Sequence, residues 1–193
     1  RSVTRKYIYS NFISELQDKF NNAGFTDVKV ELYEEEGKNL ELVQILVKYI
    51  TCSPPSSYTN PAVKIEIGSR SLLEPFTQRE FSSLGGEHYS GKPFADAPIT
   101  VPCVNPERTF LEKLFLLHEE FQKPGTKIRI DRLSRHLYDV EMMMRTEYAN
   151  IALANKQLYN EIIEHRSICA KISGIDYSGH QPKWLNPVPP DAA

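Results

Sequence analysis

Asn105-Pro106-Glu107-Arg108-Thr109-Phe110-Leu111-Glu112-Lys113-Leu114-Phe115-Leu116-Leu117 is the stretch on which the fold turns. Asparagine suits an N-cap, proline the first helical position, and an acid the first turn. Phe110, Leu114, Leu117 and Phe121 then recur at helical spacing, which predicts a helix to about Gln122, closed by Lys123-Pro124-Gly125. Upstream the period is two rather than 3.6. Val28, Val30 and Leu32 alternate with Lys29, Glu31 and Tyr33, and Val63, Ile65 and Ile67 alternate with Lys64, Glu66 and Gly68. Leu40 to Ile50 is almost continuously apolar, as a central strand would be, with Glu34 to Asn39 as the preceding turn.

Working outward, Ile8, Phe12, Ile13, Leu16 and Phe20 predict an amphipathic helix over Tyr7 to Phe20, stopped by Asn21-Asn22-Ala23-Gly24. Cys52 to Pro61, with its prolines and hydroxyl residues, reads as a loop. Phe76 to Leu84 and Ile99 to Val104 read as short strands, and Gly85 to Pro98 between them as a long loop, a candidate lid or mobile edge. Downstream of the opening helix, a second is expected from Ile130 to Met144 and a third from Asn155 to Ala170. Ser173 to Ala193 holds four prolines and one tryptophan and is expected as an extended surface tail. The class is α+β: an antiparallel or mixed sheet with an N-terminal helix and a C-terminal helical bundle. The expected organisation is helix plus sheet over residues 1–104, a helical part over 105–172 and a tail over 173–193.

Composition excludes several function classes. At 193 residues, 40% hydrophobic and 25% charged, the chain has the make-up of one folded globular domain. A formal charge of −2 leaves any RNA contact to a local patch. Cys52, Cys103 and Cys169 are odd in number with no C-x-x-C spacing, which speaks against a disulfide framework or zinc site and for a reducing, cytoplasmic setting. No apolar run of about 18 residues is present, so no membrane partner is expected. Walker, G-x-G-x-x-G, G-x-S-x-G and H-E-x-x-H sequences are absent.

Four groups carry the possible chemistry. Lys113 borders the apolar stripe of its helix with no acid three or four residues away, so it either reaches for a phosphate or distant carboxylate, or lays its stem over apolar surface. Asp139 lies beside the buried stripe Leu133, Leu137, Val140 and Met144; it either pairs locally with Arg135 or fixes Lys113 or a substrate. Lys127, Arg129, Arg132, Arg135 and His136 gather cationic groups in a patch suited to a triphosphate or RNA backbone, or simply to solvent. Glu66, on a strand, suits a divalent metal such as Mg²⁺, or a cross-strand pair with Lys64.

The helix motif Asn105 to Leu114 together with Arg135-His136-Leu137-Tyr138-Asp139-Val140 resembles the AbiEii/AbiGii toxin family of nucleotidyltransferases, whose members share a T-x-x-E-K-L helix and an R-H/D-L-Y-D-L helix at this separation. Val63 to Gly68 resembles that family's third-acid strand, and Tyr177 to Pro190 its closing segment. The resemblance implies a partial polymerase-β-like nucleotidyltransferase fold and a bacterial toxin of the abortive-infection kind. Such an enzyme moves a nucleotide from an NTP to an RNA or protein acceptor with Mg²⁺, and is restrained by an antitoxin. It implies catalytic roles for Lys113 and Asp139, a metal-holding role for Glu66, and phosphate contacts for Arg129, Arg132 and Arg135. The family's G-G-T/S turn and D-x-D strand have no counterpart: Gly85-Gly86-Glu87 lacks the hydroxyl residue, and Glu34-Glu35-Glu36 lies in a turn. The chain opens on Arg1-Ser2-Val3 rather than methionine. Both motifs are therefore expected upstream of Arg1, and the chain by itself is expected to be inactive in transfer. The alternative is a non-catalytic module of the same fold that binds a partner or RNA.

Overall fold

The computed structural model describes residues 2–33, 42–52, 54, 61–68, 75–93, 95–128, 133–170, 172 and 174–190. The chain divides into two compact units, Arg1–Ser71 and Leu72–Ala193. Each is α+β in make-up, with antiparallel strands and helices segregated along the sequence.

In the first unit, α1 (Ser2–Tyr7) runs through a π-helical turn (Ile8–Phe12) into α2 (Ile13–Asn22). Gly24 ends it with φ +89°, a left-handed conformation that favours glycine. The strands β1 (Lys29–Tyr33), β2 (Leu42–Lys48) and β3 (Ala62–Gly68) form an antiparallel sheet with β2 in the centre, in the register Leu32↔Ile45↔Ile65. That register puts Val43, Ile45, Ile65 and Ile67 on one face, where they pack with Val30 and Leu32 against Ile8, Phe12 and Ile13 of the helix. Ile45 is fully buried, and burying one such side chain contributes about 1.5–3 kcal/mol. Gln17 clamps helix to sheet: its Nε2 donates to the Val28 carbonyl at 2.9 Å and its Oε1 accepts from the Val30 N–H at 2.8 Å. The opposite face carries Glu31, Lys48, Gln44, Lys64 and Glu66. The expected turn over Glu34 to Asn39 lies outside the described residues, as does most of the loop between Cys52 and Pro61.

The second unit opens with the two-stranded ribbon β4 (Phe76–Phe81) and β5 (Ile99–Val104), paired from Phe76↔Val104 to Phe81↔Ile99. The segment expected as an open loop contains a short helix, α3 (Leu84–His88), capped by the Ser83 hydroxyl, which accepts from the Gly86 N–H at 2.9 Å. Asp96 closes the loop by accepting from the Ser83 N–H at 2.8 Å and its hydroxyl at 2.6 Å. A Cβ on Gly86 would stand 1.9 Å from Asp96 Oδ1, so a larger residue there must displace the clasping carboxylate.

The helix that begins after Asn105 is α4 (Pro106–Phe121). Asn105 occupies the N-cap position, yet its side chain accepts from the Thr77 hydroxyl at 2.7 Å instead of capping. Leu111 and Phe115 are fully buried alongside the expected Phe110, Leu114 and Leu117, because α5 (Leu133–Met144), α6 (Glu147–Ala154) and α7 (Lys156–His165) surround α4. The short α6, unanticipated in the sequence, presents Ala149 and Ala152 to this core. Where a single third helix is expected, α7 ends at His165 and a π-helical turn (Arg166–Ala170) follows. The tail is not simply laid on the surface: a 3₁₀ turn (Tyr177–His180) drives His180 to 0% exposure against Phe115.

Candidate active site

The central helix and the one that follows bring together the two residues singled out by motif. Lys113 is half-buried on α4, and its Nζ donates to Asp139 Oδ2 on α5 at 2.8 Å. Sequence left Asp139 open between Arg135 and Lys113; the partner is Lys113. This contact holds the Asp139 carboxyl below the ordinary aspartate range, chiefly through the Lys113 hydrogen bond and charge, with smaller help from Arg135 and from His136 in the protonated form it takes at the low pH where Asp139 titrates. His136 stands one helical turn before Asp139, with Nδ1 3.5 Å from Lys113 Nζ. Arg135 is exposed beside them. Arg129 and Arg132 lie outside the described residues.

The side chains of this pair remain wet, at 23% exposure for Lys113 and 42% for Asp139. An ion pair of that exposure is worth about 0–1 kcal/mol. The lysine therefore stays available to an incoming anion, which meets a cation already oriented by a carboxylate.

Glu66 belongs to the first unit, on the half-exposed face of β3. In register it faces Gln44, whose Nε2 donates to Glu66 Oε1 at 2.9 Å, while Lys64, two residues earlier on the same strand, sits at 3.3 Å. The cross-strand partner is thus Gln44, and Lys64 is a same-strand neighbour. Tyr33 adds a ring 5.1 Å from the Lys64 ammonium. An acid beside an ammonium is a poor divalent-cation ligand without further carboxylates. Among the described residues no group of three or more His, Cys, Asp or Glu side chains is placed to hold a metal ion. Among the described residues the donor set around Glu66 does not fit Mg²⁺.

Sequence reading missed a second charged cluster. Glu119, 1% exposed, receives Arg166 through Nε at 2.7 Å and again through Nη2, and His180 through Nε2 at 2.9 Å. Burial alone would raise the Glu119 pKa, but the hydrogen bonds and charges of Arg166 and His180 outweigh it and leave it lowered. His118, at ring contact with His180, receives the Asn186 N–H at 3.1 Å and touches Gln122. Burial, joined by the charge of His180, lowers its pKa against the opposing pull of the Asn186 backbone and Glu119. A signal for Glu119 was present: Leu111, Phe115 and Glu119 recur every four residues, so the acid continues a fully buried stripe.

The chain belongs to the nucleotidyltransferase toxins. Its residues 9–187 match the family described as "Nucleotidyl transferase AbiEii toxin, Type IV TA system", in which the toxin is one half of a toxin–antitoxin system. No curated protein and no solved structure matches the chain. Among the described residues no helix is long and apolar enough to cross a membrane.

Proposed function

We propose that Lys113 and Asp139 form the phosphate-handling part of a nucleotidyl-transfer site that moves a nucleotide from an NTP to an RNA or protein acceptor in a cytoplasmic toxin. The supporting observation is the 2.8 Å contact between Lys113 Nζ and Asp139 Oδ2 across two helices, at a half-exposed position. Phosphoryl chemistry is catalysed largely by positioning and by charge aimed at the transferring group. Lys113 supplies that charge to the phosphate oxygens; Asp139 aims it. Arg135, with Arg129 and Arg132, extends the cationic surface along which a triphosphate or acceptor backbone is drawn in. The antitoxin of the system restrains the activity. Family chemistry draws on a divalent cation, and no step is assigned to one here, because Glu66 is occupied by Gln44 and Lys64.

In the toxin, Lys113→Ala and Asp139→Ala lower labelled-nucleotide transfer to RNA or protein by about 10²–10³-fold, the scale of losing one preorganised charge at the transferring group. Both variants keep their melting temperature within about 4 °C, as an exposed ion pair dictates. Full transfer by either variant rules the assignment out.

The engagement of Glu66 favours one second reading, a binding module that holds RNA through the cationic face without transferring to it. RNA binding that survives in Lys113→Ala, with no transfer by the parent toxin at any divalent cation concentration, selects that reading.

A further inference from the structure

Lys113 lies within reach of two groups, Asp139 Oδ2 at 2.8 Å and His136 Nδ1 at 3.5 Å, and both come from the same face of α5 at a spacing of three residues. An ammonium only donates, and it has three N–H bonds. A ring nitrogen facing it favourably must offer a lone pair, so the His136 proton belongs on Nε2 and the ring is uncharged. An imidazolium would set N–H against N–H. Charged groups near His136 include Lys113 from α4, and Asp139 and Arg135 from its own helix. A single acceptor leaves the lysine free to swing about one contact, whereas a carboxylate on one side and an imidazole on the other fix its direction.

We propose that His136 is a positioning residue for the phosphate-handling lysine: neutral, protonated on Nε2, it works with Asp139 to hold the Lys113 ammonium so that its third N–H points to an incoming phosphate oxygen. This rests on the reading of Lys113 given under Proposed function and adds to it a proton location and a second anchor. The Nδ1 contact is long for a hydrogen bond, so its contribution is one of direction more than of strength.

Two measurements on the full chain test it. Long-range ¹H–¹⁵N correlation spectra, with the His136 signals assigned by their loss in His136→Asn, report the tautomer directly at a pH well above the ordinary histidine value of about 6.5. The Nε2–H form is expected there, and the Nδ1–H form or a cationic ring overturns the proposal. Calorimetric titration with inorganic triphosphate then separates the roles. Lys113→Ala removes binding; His136→Ala weakens it about tenfold, equivalent to about 1.4 kcal/mol. His136→Asn, whose amide oxygen takes the place of Nδ1, restores binding to within about twofold, because the acceptor rather than the ring is what Lys113 uses. Parental binding by His136→Ala, alongside loss in Lys113→Ala, overturns the positioning role while leaving the lysine assignment standing. Parental binding by Lys113→Ala overturns the phosphate site itself.

Discussion

Glu119→Ala removes a carboxylate that is 1% exposed and that two partners share, the Arg166 guanidinium with its side chain 16% exposed and the His180 imidazole at 0%. The variant leaves a guanidinium and an imidazole facing a void. Deleting one member of a buried pair costs about 3–5 kcal/mol, because the surviving charge is left without water or counter-charge. His180 Nδ1 already has no partner among the described residues, so the ring has no second bond to fall back on. In a chain of this size each kcal/mol lowers Tm by about 2–4 °C, which gives a loss of about 6–20 °C. Thermal unfolding followed by far-ultraviolet circular dichroism reads the helical unit, and Lys113→Ala, expected within about 4 °C of the parent, serves as the contrast. A Glu119→Ala variant that melts with Lys113→Ala would refute the reasoning, since it would mean the buried cluster is no stronger than an exposed pair.

Two further outcomes follow from the ionisable groups. Carbon-detected NMR of the Asp139 carboxyl should show its pKa rising toward the ordinary value in Lys113→Ala, since that lysine is the leading cause of the depression. The pair stabilises the fold above the ordinary aspartate range and is lost as pH falls through the lowered native pKa, with an amplitude of only about a few tenths of a kcal/mol at this exposure; an unchanged pKa in the variant would refute the contact. His118 behaves oppositely in charge but alike in direction: its native pKa is lowered, so the unfolded chain binds more protons below about pH 6.5, and stability declines as pH drops from there toward the native pKa. Denaturant unfolding at a series of pH values should show that decline, and His118→Asn should flatten it; a parallel slope in both proteins would assign the titration to another group.

The parts of the fold legible in sequence are those where one periodicity dominates. β2 announces itself because Val43, Ile45 and Val47 are buried on the helix face and Leu46 on the other, so the central strand reads as a nearly continuous apolar run, and α4 because its cap, proline and stripe agree. The short α6 was invisible: its eight residues offer two small buried alanines instead of a wide apolar stripe, and neighbours rather than its own pattern decide it. The tail was misjudged for a related reason. Proline content describes the segment's backbone, whereas its anchor, His180, is fixed by Glu119 sixty-one residues away, a partnership that local pattern cannot express. Within the candidate site, Lys113 and Asp139 were each ambiguous singly. Lys113 lacked a helical partner because its partner sits twenty-six residues on, on the next helix. Arg166 was the most recoverable omission, since Tyr159, Ile162 and Arg166 follow helical spacing and place the cation on a buried stripe facing α4.

Two of the ion pairs in which α4 takes part, Arg166–Glu119 and Lys113–Asp139, thus have energetics that assign them different work. Arg166 and Glu119 are withdrawn from water, and separating them exposes an uncompensated charge at a cost of about 3–5 kcal/mol. No soluble phosphate can compete for that arginine without first unfolding its surroundings. Lys113 and Asp139 are wet, their contact worth about 0–1 kcal/mol, and a phosphate oxygen offers the lysine a charge-assisted hydrogen bond worth about 1.5–3 kcal/mol. Exchange of Asp139 for a phosphate, or sharing of the ammonium between them, is therefore favourable at Lys113 and forbidden at Arg166. The difference in exposure, rather than the mere presence of an ion pair, leaves the Lys113 cation open to an anion from solution and closes Arg166 to one.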